Sequence, residues 1–232
     1  HLDGISCVTD QQLVNDHGQV VIVMEGWQTR RYQMDRDFFI QTKQIQQKLV
    51  SEALDDGVVL FHDHYDTAIV RDYLAKRFLN RPEMAEYEAS SPRRRRQWLN
   101  GRVAVKDAIR NYLWNKHGRF DLFPKELLIS NDANGQPRVA PHISQCFFGA
   151  LHVSIAHKDL LAFAMAAERP VGVDIEKIEA RSDDFIALTM GEAEISLLPQ
   201  ERRDEWITRF WVAKEALAKC LGTGLEGMPK KF

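Results

Sequence analysis

At 232 residues the chain is long enough to bury a core in one or two domains, and a formal net charge of −2 gives no global electrostatic case for binding nucleic acid. Its cysteines, Cys7, Cys146 and Cys220, are odd in number, widely spaced and outside any C-x-x-C pattern, which argues against a disulfide framework or a cysteine zinc site and fits a reducing cytoplasm. The longest apolar runs, such as Val20 to Met24, are far too short to span a bilayer, and no secretory pattern opens the chain.

Opening on His1 and ending at Lys230-Lys231-Phe232, the chain reads as a domain cut from a longer polypeptide. Residues 1–56 carry a hairpin pattern: Asp16-His17-Gly18 is a turn signal before Val20 to Met24, and Trp27, Thr29 and Arg31 alternate with Gln28, Arg30 and Tyr32. Nothing in this stretch carries chemistry, so it is an N-terminal extension or a linker. His62-Asp63-His64-Tyr65-Asp66 has an H-x-H spacing that two zinc ligands on a strand would use, but no third histidine or cysteine lies at ligand spacing nearby.

Helical patterns follow over Tyr73 to Leu79 and Arg81 to Tyr87, with Pro82 in a first turn, and Ser90-Ser91-Pro92 announces a long helix from Arg93 to Leu113. Its opening Arg93–Arg96 run is the densest positive charge in the chain, either a solvated helix end or a nucleic-acid patch. Helical spacing adds something sharper, because Arg94, Trp98, Arg102 and Lys106 recur every four residues and form one stripe that can clamp a phosphate. Lys125 to Ser130 reads as a strand and Asn131 to Gly135 as the turn after it, leading into Gln136-Pro137-Arg138. The stretch Leu151 to Lys158, containing His157, precedes an apolar strand at Asp159 to Ala167, and Glu168-Arg169-Pro170 turns the chain into a second strand at Val171 to Glu176.

On that last strand Asp174 and Glu176 are two apart and project from one face. Two helices over Ser182 to Thr189 and Gly191 to Leu198 then lead to a third, whose apolar stripe runs Phe210, Val212, Ala213, Ala216, Leu217 and Leu221 and closes near Gly222. There Glu215 and Lys219 are i and i+4, hence neighbours. Asp174, Glu176 and Glu215 together form an oxygen-rich set that suits a hard cation, magnesium best, with lysines beside it for a phosphate-bearing substrate. Taken singly, each pair also fits a solvated strand edge or a surface ion pair.

The pattern G-[IV]-D-x-E, then about forty residues, then [FW]-W-x-x-K-E-[AS]-x-x-K is filled at Gly172, Val173, Asp174, Glu176, Trp211, Lys214, Glu215, Ala216 and Lys219. It resembles the signature of the 4′-phosphopantetheinyl transferases of the surfactin-synthetase-activating type, with a likeness from about Leu74 to Phe232. Residues 1–56 loosely resemble the segment preceding such a domain at the end of a polyketide synthase. The resemblance implies an α+β fold of two similar halves related by a pseudo-twofold, here residues 57–170 and 171–232, with a coenzyme cleft between them. Related enzymes continue with further strands, so the second half is expected to be truncated.

The implied reaction moves the 4′-phosphopantetheinyl group of coenzyme A onto a serine of an acyl or peptidyl carrier protein and releases 3′,5′-ADP. Asp174, Glu176 and Glu215 would hold Mg²⁺, and Glu215 would take the serine proton directly or through a bound water. Lys219 would meet the departing phosphate, and Asp174, Glu215 and Lys219 form the expected catalytic set. The coenzyme would be bound by Arg94 and Arg102 at its 3′-phosphate, with Arg93 and Arg96 as alternatives, and by Gln136, Pro137, His157, Lys214 and Lys219. Two departures stand out: Gln136 replaces the lysine of a Gly-Lys-Pro pattern, and His157 lacks the serines that flank it in relatives. No nucleic acid or membrane partner is expected, and the unit is a monomeric transferase or part of a larger polyketide synthase. Two other readings stay open: a non-catalytic docking domain of a megasynthase, and a basic-helix nucleic-acid binder resting on Arg93–Arg96.

Overall fold

The computed structural model describes residues 6–30, 36–45, 47–65, 67–140 and 150–232. Arg31, Tyr32, Asp66 and Cys146, named above, lie outside the described residues. The chain forms two compact units, His1–Phe39 and Ile40–Phe232.

In the first unit β1 (Ser6–Val14) and β2 (Val20–Arg30) pair antiparallel as the expected hairpin. Its turn is built by Asn15, whose side-chain oxygen accepts from the amides of His17 and Gln19, and by Gly18 at φ 74°. Helix α1 (Arg36–Lys43) crosses the boundary between the units.

The second unit is built on a six-stranded antiparallel sheet, ordered β3-β4-β8-β7-β6-β5. The strands are β3 (Glu52–Asp55), β4 (Val58–His62), β5 (Ile129–Asn131), β6 (Pro137–Val139), β7 (His152–Lys158) and β8 (Leu161–Ala167). Three helices come between β4 and β5: α2 (Ala68–Phe78), α3 (Arg81–Ala89) and α4 (Pro92–His117). Helix α4 starts on Pro92 after Ser91 and ends on Gly118 in the left-handed conformation, with the Arg119 amide reaching back to the Leu113 carbonyl. It lies on β4, β7 and β8. Leu99, Val103, Ala104, Ala108 and Ile109 are fully buried there with Val59, Phe61, Ala162, Ala164 and Ala166, the inward set of strands whose burial alternates with period two.

Several buried charges fix α4 to its surroundings. Asp107 accepts from Arg110 at 2.8 Å and from the amides of Val50 and Ser51 at 2.9 Å. Lys106 donates to Glu83 and to the Phe78 carbonyl, so the lower end of the expected Arg94–Trp98–Arg102–Lys106 stripe is turned into the core. Asp63 is buried and accepts from Arg96 at 2.6 Å and Asn100 at 3.3 Å, a structural use of the His62-Asp63-His64 cluster.

After β8 the chain runs without regular structure to residue 182, then forms α5 (Asp183–Thr189), α6 (Glu192–Ser196) and α7 (Arg203–Leu221). Ile186, Met190 and Ile207 make a small core here, with Phe185, Ile195, Leu198 and Phe210 packed on it. The mixed α+β class is as expected. Val171 to Glu176 is not a strand: the Val173 amide donates to the Ser154 hydroxyl at 3.1 Å instead of to a ladder partner. The hairpin also lies elsewhere, with β7 and β8 joined at Lys158 to Leu161 and Asp159 at φ 52°. Residues 125–130 begin as a 3₁₀ turn (Pro124–Glu126) before β5. Among the described residues, those after Ala167 contribute helices and no strand.

Candidate active site

The stretch 171–176 is held against α7 by direct backbone contact. A Cβ on Gly172 would lie 1.8 Å from the Ala216 carbonyl oxygen and 2.7 Å from the Cys220 amide, so only glycine permits this approach. The contact brings Asp174 to the last turns of α7, where Lys219 donates to its Oδ1 at 2.7 Å. The other oxygen, Asp174 Oδ2, is buried and accepts no hydrogen bond. Glu215, one turn before Lys219, is half-buried. Its carboxyl is pushed above the ordinary range first by burial and then by the Asp174 carboxylate; Lys219 opposes this and Glu176 adds to it. Glu215 thus lies within electrostatic reach of Asp174 and Glu176.

Glu176 carries positive partners, accepting from Lys158 at 2.6 Å with Arg181 at 3.5 Å. Lys158 and Arg181 were missed in the sequence, Lys158 because it occupies a position where a serine was expected. Among the described residues no three His, Cys, Asp or Glu side chains are gathered as a metal-ligand set. The chemistry of the donors nonetheless suits a divalent cation: Asp174 has an orphaned buried carboxylate oxygen, and the Glu215 carboxyl is raised first by burial and then by the Asp174 charge.

Beside this cluster α4, the β5–β6 turn and β7 enclose a cavity of about 470 Å³, lined by Arg94, Trp98, Arg102, Asn131, Pro137 and His157 among others. Arg102 is 4 % exposed, its guanidinium 4.5 Å above the Trp98 ring, and its Nε has no hydrogen-bond partner. The arginine run divides its duties. Arg95 donates to the carbonyls of Ser90 and Glu88, Arg96 is tied to Asp63, and Arg94 lines the cavity. Partial burial lowers the His157 pKa, the charge of Lys219 lowers it further, and Asp174 pulls the other way. The ring is thus neutral near pH 7 and offers one N–H donor.

An adjoining cavity of about 160 Å³ is lined by Gln136, Pro137 and Ser154 from the sheet side and by Ala218, Lys219 and Gly222 from α7 and its end. The two cavities collect every expected coenzyme ligand except Lys214. Lys214 is buried and donates to Glu194 at 2.7 Å and to the Pro229 carbonyl at 3.0 Å, so it braces α7 against α6 and the C-terminal turn.

Residues 170–231 match the model of the 4′-phosphopantetheinyl transferase superfamily. The chain is 35% identical over 97 residues to the holo-[acyl-carrier-protein] synthase of Bacillus subtilis, covering 41% of this chain and 77% of that protein. It is 25% identical over 134 residues to the 4′-phosphopantetheinyl transferase psf-1 of Bacillus pumilus, spanning 52% of that relative and 56% of itself. Among solved structures it is similar to the holo-[acyl-carrier-protein] synthase of Helicobacter pylori in complex with coenzyme A, at 19% identity and a TM-score of 0.38, covering 48% of this chain and 96% of that one. The matched segment contains Asp174, Glu176, Glu215 and Lys219, and the chain belongs to the 4′-phosphopantetheinyl transferase superfamily of enzymes.

Proposed function

We propose that this chain is a magnesium-dependent transferase of the surfactin-synthetase-activating type, moving the 4′-phosphopantetheinyl group of coenzyme A to a serine hydroxyl of an acyl or peptidyl carrier protein and releasing 3′,5′-ADP. The observation that carries this reading is the pairing of Lys219 with Asp174, within electrostatic reach of Glu215, with Lys219 lining the smaller cavity that adjoins the one lined by Arg94, Arg102, Pro137 and His157.

Mg²⁺ would be held by Asp174, Glu176 and Glu215 and would supply positive charge against the pyrophosphate, making its phosphorus a better electrophile. The remaining work falls to the chain's own groups. Arg94 and Arg102 bind the 3′-phosphate of the coenzyme, for which a planar guanidinium fork is suited. Pro137 and the β5–β6 turn wall the cavity, and neutral His157 donates one hydrogen bond to a phosphate oxygen. Glu215, whose pKa is raised, is matched to taking a proton from the attacking serine. Lys219, paired to Asp174 at 2.7 Å, meets the leaving phosphate oxygen as its charge grows.

In this reading residues 57–170 and 171–232 are the two halves that flank the cleft, residues 1–56 end in the edge strand β3 of the six-stranded sheet, and the part ahead of it serves as a link to a polyketide synthase. Carrier proteins are typically acidic, and the exposed Arg93 and Arg94 at the start of α4 would steer one toward the cleft. Mixing the protein with coenzyme A, Mg²⁺ and an apo carrier protein tests the whole reading. The carrier should gain the mass of a pantetheine arm, and its mass unchanged after exhaustive incubation would overturn the proposal.

A further inference from the structure

Gln136 occupies a place where a coenzyme contact is expected, yet both ends of its amide are already used by the protein. Its Nε2 donates to the Lys219 carbonyl at 3.0 Å, across 83 residues of sequence. Its Oε1 accepts from Arg138 at 2.6 Å. The Arg138 guanidinium is held in turn by Asp132, with Nε donating at 3.0 Å, and Asp132 accepts from the backbone amides of Asn134 and Gln136. Asp132, Arg138 and Gln136 thus close a ring on the β5–β6 hairpin, and one arm of that ring reaches the last turn of α7.

The receiving end is shaped to match. The Lys219 carbonyl also accepts the Gly222 amide at 3.2 Å, so it belongs to the cap that ends the helix. Gly222 is in the left-handed conformation at φ 71°, and a Cβ there would come 2.9 Å from Gln136 Oε1. A side chain at 222 would push the glutamine away.

We infer that Gln136 is a positioning residue, a strut that fixes the end of α7, and with it the Lys219 ammonium, at a set distance from the nucleotide cavity. The inference rests on the site reading given under Proposed function. Its physical basis is that transfer needs the cation on α7 and the phosphates in the sheet-side cavity in register, and small displacements of such groups are costly to rate.

The test compares Gln136→Leu, Gln136→Glu and Gln136→Lys with the wild-type chain. Leucine removes the strut. Glutamate keeps the acceptor for Arg138 but faces the Lys219 carbonyl with oxygen. Lysine restores a donor toward that carbonyl. Leucine and glutamate should lower kcat roughly tenfold with the KM for coenzyme A within about threefold of wild type, and lysine should recover most of kcat. Amide hydrogen exchange at Gly222 and the preceding residues of α7 should quicken in the leucine and glutamate variants and stay near wild type in the lysine variant. A KM raised at unchanged kcat would overturn the inference by making Gln136 a direct coenzyme ligand. Exchange unchanged in the leucine variant would overturn it whether or not the wild-type chain is active. A wild-type chain that transfers nothing would instead defeat the reading of the site, and exchange alone would then decide the strut.

Discussion

Lys219 and Asp174 meet at 2.7 Å although 45 residues separate them, and the second oxygen of Asp174 is buried with no donor at all. One oxygen of the carboxylate is satisfied, and the other has no hydrogen-bond partner among the described residues. Adding Mg²⁺ to the wild-type protein should therefore raise its melting temperature, by roughly 2–4 °C for each kcal/mol of binding linkage. Asp174→Asn should abolish that rise. Both Asp174→Asn and Glu215→Gln should lower transfer by about a hundredfold or more with unchanged circular dichroism. A magnesium-dependent shift that survives in Asp174→Asn would remove this aspartate from the ion's shell.

Gly172 sets the carboxylate's position through backbone contact. Gly172→Ala places a methyl 1.8 Å from the Ala216 carbonyl oxygen, a main-chain atom in mid-helix that cannot rotate aside. The variant should lose about 3 kcal/mol or more of stability by urea unfolding. Any fraction that remains folded should transfer poorly, because Asp174 is carried away from Lys219.

Arg94 is exposed and lines the larger cavity, so Arg94→Ala should be tolerated by the fold and felt by the ligand. Loss of a charge-assisted contact to phosphate is worth about 1.5–3 kcal/mol, or ten- to a hundredfold in the Kd for coenzyme A by calorimetry. The dephosphorylated coenzyme, lacking the 3′-phosphate, should bind wild type and variant alike.

Burial lowers the Lys106 pKa from 10.5 to about 8, against the opposing charge of Glu83. Between these values the unfolded chain binds more protons than the folded one, so stability rises with pH. The contribution of this lysine is full above about pH 10.5 and is lost as the pH falls through about 8. Denaturant unfolding at pH 8 and pH 10 should show this gain, and Lys106→Met should lose it.

The elements with a strong period and clear caps were legible in the sequence. The long helix was placed from Arg93 to Leu113 and runs Pro92–His117, the extra turn closing on a glycine that the apolar stripe does not mark. The helix expected from the Phe210–Leu221 stripe runs Arg203–Leu221, and the apolar strand expected over Asp159–Ala167 runs Leu161–Ala167, its first two residues making the turn. The strand assigned to Val171 through Glu176 failed because alternation signals an extended chain, and only a neighbour's free edge makes it a ladder. Here the neighbour is the face of α7, which Gly172 allows the backbone to touch. Spacing brought Glu215 and Lys219 together correctly, since i and i+4 on a helix need no tertiary knowledge. It could not show that Lys214, one residue earlier, points into the protein to meet Glu194 and Pro229. Nor could it show that Gln136 reaches α7, because the Lys219 carbonyl that takes its amide lies 83 residues away.

Trp98 faces the larger cavity with the Arg102 guanidinium 4.5 Å above its ring and its own N–H given to Glu86. An anion drawn to that guanidinium would alter the electric field across the indole, so nucleotide binding should register in the protein's own emission spectrum. Of the five tryptophans in the chain, this is the one whose replacement by phenylalanine should silence the signal, giving an optical titration that needs neither label nor turnover.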